Sequence, residues 1–144
     1  MKLTKMDAEV LTINDIQGLA PITITMINYQ GRAGKLVVEC AGSAWAAHWG
    51  PMGDTIRVFI ARADNQYLIS CLAPRLSKTV VDFPKVSEKI GVSVSSDVEL
   101  AMACDEVIEV YGHEFWVDLP REDNPEYNYL NRIVTAIKDA MGEG

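Results

Sequence analysis

Apolar and polar positions alternate most cleanly over residues 22–29 (ITITMINY). Ile22, Ile24, Met26 and Asn28 fall on one side, with Thr23, Thr25, Ile27 and Tyr29 on the other. β-Branched residues dominate, which suits a pleated strand. Residues 35–41 repeat the period with Leu36, Val38 and Cys40 on one face. The Gly31 and Gly34 loop between them predicts a hairpin with a longer turn. Gly42-Ser43 turns the chain again into a strand over 44–49, with Trp45, Ala47 and Trp49 on one side and Ala44, Ala46 and His48 on the other. The two-alanine side leaves room for a helix to pack close. Residues 6–13 alternate loosely and predict a first edge strand.

The period then changes. Residues 55–63 fit two periods: an imperfect strand with Ile56, Val58 and Ile60 opposite Arg57, Phe59 and Arg62, and a helix with Ile56, Phe59, Ile60 and Ala63 as an i, i+3, i+4, i+7 stripe after Asp54 or Thr55 as N-cap, the helix fitting better. Asp64 or Asn65 opens a second short helix over 66–72, stopped before Pro74. Residues 78–82 suggest a short extended piece and 87–90 a turn of helix. Val98, Met102, Val107 and Ile108 suggest one helix over 98–110, behind a Ser95-Ser96-Asp97 cap. Residues 119–125 read as a charged loop. Over 125–141, Tyr127, Leu130, Ile133, Val134, Ile137 and Met141 recur at three and four, behind Asn124-Pro125 and ahead of Gly142. Such a helix covers one face of an antiparallel sheet. The expected fold is therefore α+β, a small antiparallel sheet of three to four strands packed against a long C-terminal helix and shorter helices. At 144 residues the chain is expected as a single domain, with 78–118 a possible insertion or divergent region.

Charge changes the picture. Residues 1–96 carry ten Lys/Arg and eight Asp/Glu, whereas 97–144 carry three basic and twelve acidic residues. Between Asp97 and Glu126 the one basic residue is Arg121. An acidic half repels nucleic-acid phosphate and anionic membrane, and suits a basic partner or plain solubility. The candidate partner-binding residues are Asp105, Glu106, Glu109, Glu122 and Asp123, with Trp116 as an aromatic anchor among them.

Other chemistry finds little footing. Cys40, Cys71 and Cys104 are spread out with no C-x-x-C pair, as in a reduced cytoplasmic protein. No H-E-x-x-H or deaminase pattern unites them with His48 or His113, so no metal, cofactor or catalytic residue is expected. Ser43 lacks the second glycine of a nucleophile elbow. Residues 1–15 lack the apolar core of a signal peptide, and no apolar run spans a membrane. The alternative, a small nucleic-acid-binding module, would combine Arg32, Lys35, Arg57 and Arg62 with Trp45 and Trp49.

Three stretches carry a resemblance. They are Trp45-Ala46-Ala47-His48-Trp49-Gly50-Pro51-Met52-Gly53, the Asp64, Tyr67-Leu68 run ahead of Leu72-Ala73-Pro74, and Tyr129-Leu130-Asn131-Arg132-Ile133-Val134. Together they resemble small proteins of enterobacterial tailed phages and prophages. The resemblance covers both ends of the chain and not 84–118, and its motifs carry no assigned chemistry. It implies a phage setting more than an activity. With the acidic segment, the expected function is that of a phage accessory protein in the host cytoplasm, not an enzyme, that binds a basic host or phage protein and inhibits a defence or nucleic-acid-handling complex.

Overall fold

The computed structural model describes residues 1–143. Contacts divide the chain into two compact units, Met1–Leu76 together with the chain from Glu126 onward, and Ser77–Pro125. The second unit takes in the 78–118 stretch that the sequence sets apart.

The first unit is a four-stranded antiparallel sheet in the order β1-β2-β3-β4, formed by Glu9–Ile13, Ile22–Asn28, Gly34–Cys40 and Ser43–Trp49. Ile24 faces Val38, and Val38 faces Trp45, so one apolar row crosses three strands. Ala41 and Gly42 both have positive φ and make a two-residue hairpin turn of the primed type. Helices α1 (Ile56–Arg62), α2 (Asn65–Leu72) and α7 (Pro125–Glu143) bury their apolar stripes against one face of the sheet. Thr55 caps α1 as expected, its hydroxyl accepting the Val58 amide. All six residues of the expected stripe on α7 are buried. The helix continues through Gly142 to Glu143 rather than stopping at the glycine. Helices cover the Trp45, Ala47 and Trp49 side of β4. The Ala44, Ala46 and His48 side is exposed, the reverse of the expected arrangement. Residues 14–19 form a turn and no helix.

The second unit holds a two-stranded ribbon, β5 (Thr79–Val81) against β6 (Arg121–Asp123), and helices α3 (Phe83–Ile90), α4 (Asp97–Met102), α5 (Cys104–Tyr111) and α6 (Phe115–Asp118). Val86, Val94, Leu100, Val107, Phe115 and Leu119 form its core. Two expectations are corrected here. The helix over 98–110 breaks at Ala103, whose backbone leaves the helical region (φ −93°, ψ 25°). The charged loop over 119–125 contains a strand, because Arg121–Asp123 pairs with β5.

Candidate partner-binding surface

The acidic excess also follows the division into units. Ser77–Pro125 contains eleven acidic and four basic residues, a net −7 that equals the charge of the whole chain. The remainder has nine of each sign.

Local capping builds the acidic end of this unit. The Ser96 hydroxyl accepts the Glu99 amide at 3.2 Å, and Glu99 reaches back to accept the Ser95 amide at 2.7 Å and hydroxyl at 3.0 Å. This reciprocal cap starts α4. Ala103 ends it, and α5 starts at once with Asp105 and Glu106 in its first turn, where the helix dipole favours carboxylates. At 100° per residue, Asp105, Glu106 and Glu109 span about 100° of arc on the side away from buried Val107. All three are exposed.

The other expected residues lie elsewhere on the same unit. Trp116 is 53% exposed on α6, with its ring 4.4 Å from that of Phe115. It lines a cavity of about 510 Å³ with Phe83, Asp97 and Arg121, and none of the α5 carboxylates borders that cavity. Glu122 and Asp123 are exposed neighbours on β6 and so point to opposite faces of the ribbon. Arg121 donates from Nε to the Thr79 hydroxyl and from NH2 to the Thr79 carbonyl, both at 2.8 Å. Its guanidinium is committed to the ribbon. Among the described residues, none of Asp105, Glu106, Glu109, Glu122 and Asp123 forms an ion pair.

An apolar component went unread in the sequence. Val98 (69% exposed) and Met102 (82% exposed) stand one turn apart on α4. The single-helix reading places both on a buried stripe. The break at Ala103 instead leaves Leu100, Ala103 and Val107 inward and these two outside. Beside them a dimple of about 260 Å³ is lined by Val92, Val94, Met102 and Ala103, with Glu99 and Glu106 also on its lining. Carboxylates and apolar side chains thus share one surface.

The remaining candidates do not assemble. His48 is exposed on β4, with its ring 5.6 Å from Tyr29, and His113 belongs to the other unit. No group of three His, Cys, Asp or Glu among the described residues could hold a metal ion. Lys35 sits on the sheet face opposite Trp45 and Trp49. Arg57 pairs with Glu9 at 3.0 Å, and Arg32 donates to the Gly53 carbonyl at 3.5 Å. Of the residues named for the nucleic-acid alternative, Lys35 thus lies off the tryptophan face, and Arg57 and Arg32 have protein partners. Tyr129 donates to the Cys40 sulfur at 3.4 Å, and that bond, with burial and the Cys40 charge, raises its phenol above the ordinary value.

A family model described as a phage family, Phage_phiTE_072, matches residues 1–143. The chain belongs to this phage family. The match runs through 84–118, which the motif resemblance did not cover. No curated protein and no solved structure matches the chain. No helix among the described residues of this phage-family protein is long and apolar enough to cross a membrane.

Proposed function

We infer that this phage-family protein is a non-enzymatic accessory factor that binds a basic protein of host or phage through its Ser77–Pro125 unit. The observation that carries the reading is the concentration of the net −7 in that unit, where Asp105, Glu106, Glu109, Glu122 and Asp123 form no ion pair among the described residues, beside exposed Val98 and Met102. A surface of this kind steers a cationic partner by charge and holds it by apolar contact. The partner it fits presents Lys and Arg around an apolar ridge. The basic channel of a nucleic-acid-handling or defence complex has that chemistry, and occupying it would inhibit the complex. The setting is the cytoplasm of an enterobacterium carrying a tailed phage or prophage. Trp116 serves as a separate anchor, with Glu122 and Asp123 on the ribbon adding to the field.

The test compares partner capture from infected cells by the wild-type chain and by the D105K/E106K/E109K variant. Capture is expected to fall steeply with salt and to vanish in the variant. Undiminished capture by the triple reversal at low salt would end this reading.

A further inference from the structure

Strand β4 lies at the end of the sheet, so one of its two edges has no neighbouring strand. The tight turn fixes which groups are left over. With Cys40 facing Ser43 across two residues, the hydrogen-bonded pairs are Cys40–Ser43, Val38–Trp45, Leu36–Ala47 and Gly34–Trp49. The amides and carbonyls of Ala44, Ala46 and His48 therefore point away from β3. Among the described residues, no hydrogen bond satisfies them. Natural sheets blunt such edges with lysine, proline or a bulge. Ser43–Trp49 has no charged residue, no proline and an unbroken register.

A groove of about 800 Å³ opens at the start of this edge, lined by Ala44, Trp45, Arg75, Leu76, Glu126 and Tyr129 among others. The Trp45 and Tyr129 rings lie 6.3 Å apart. Arg75 is exposed and has no ion-pair partner among the described residues. Ala44 and Ala46 keep the opposite face of the strand low.

We propose that β4 accepts an extended peptide segment bearing a carboxylate as a fifth strand of the sheet. An open edge is complementary to another extended backbone. Alternate side chains of the guest enter the groove beside Trp45 and Leu76, and its carboxylate pairs with the Arg75 guanidinium. A second copy of β4 is the poorer guest, because Ser43–Trp49 has no carboxylate to offer Arg75. This site uses none of the acidic surface, so the two readings stand or fall separately.

The experiment selects binders to the full chain from a displayed random library of about eight residues, the length of a typical strand with its flanks. A selected peptide is then titrated into isotope-labelled protein. The selected sequences are expected to alternate apolar residues and to carry Asp, Glu or a terminal carboxylate, and to shift the amides of Ala44, Ala46 and His48. Ala46→Pro removes an outward donor without touching the ladder to β3. Arg75→Glu reverses an exposed charge and leaves the fold alone. Each is expected to weaken binding by about tenfold or more, and D105K/E106K/E109K to leave it unchanged. The proposal is overturned if selection yields no peptide, if binding is indifferent to Arg75→Glu, or if those amides do not move. It is also overturned if sedimentation shows a dimer that Ala46→Pro dissociates, since the edge would then belong to a second copy.

Discussion

The side-chain oxygen of Asn28 accepts the Ile56 amide at 2.9 Å. The last residue of β2 thus satisfies one of the orphan donors at the start of α1. Asn28→Ala is expected to destabilise the protein by about 1 kcal/mol, as loss of a helix cap does. Urea unfolding checks this, with a lower midpoint and an unchanged slope.

At Gly34 the start of α1 packs tightly on the sheet. A Cβ there would lie 2.6 Å from Met52 Cε and 3.0 Å from Ile56 Cβ. Gly34→Ala is expected to cost about 1–3 kcal/mol through overpacking. Adding Met52→Ala should return part of that loss, because the tip of Met52 is the nearest obstacle. A double-mutant cycle in urea reads the coupling.

Ala41 has φ 50° in the first central position of the β3–β4 turn. That region is unfavourable for alanine and well tolerated by asparagine. Ala41→Asn is therefore expected to stabilise the protein by about 0.5–1 kcal/mol. A thermal melt showing no gain would mean that the turn is not of the primed type.

Val98 and Met102 project from α4, so replacing both with serine should change folding stability by no more than about 0.5 kcal/mol each. Partner capture should nevertheless weaken, and unlike the charge reversals it should weaken as much at high salt as at low. Equal capture by the double variant would remove the apolar part of the surface.

Tyr129 gives the alkaline limb a definite sign. The folded state holds its proton more tightly than the unfolded chain does. This contribution is complete below the ordinary tyrosine value, about 10, and is lost as pH rises through the higher folded value. Tyr129→Phe should flatten that part of the stability–pH curve, measured as urea midpoints across the alkaline range. Cys40→Ala should bring the phenol's ultraviolet titration back toward the ordinary value, because the Cys40 sulfur accepts its hydrogen bond.

How much of this was legible depended on how strongly one face is buried. In β2 and α7, core positions recur at periods of two and of three to four with few exceptions, so both elements stand out in the chain. Strand β6 has all three residues charged and exposed, and no hydrophobic alternation announces it. The break between α4 and α5 falls at Ala103, flanked by Met102 and Cys104, with no glycine or proline as a signal. That concealed break is why Val98 and Met102 read as core. On β4, alternation identified two faces but could not say which one the helices would cover. The groove beside its edge joins residues 43–45 to 73–76 and Tyr129, a meeting that no local pattern encodes.

The order of elements has a consequence for synthesis. The ribosome delivers all four main strands early, but the long helix that shields their apolar face is encoded after the whole acidic unit. At typical elongation rates of about 5–20 residues per second, the nascent sheet waits several seconds for its cover. A chain stalled before Tyr127 would leave bare the part of that greasy surface that α1 and α2 do not cover, which makes the late stage of translation the interval when chaperone protection counts most.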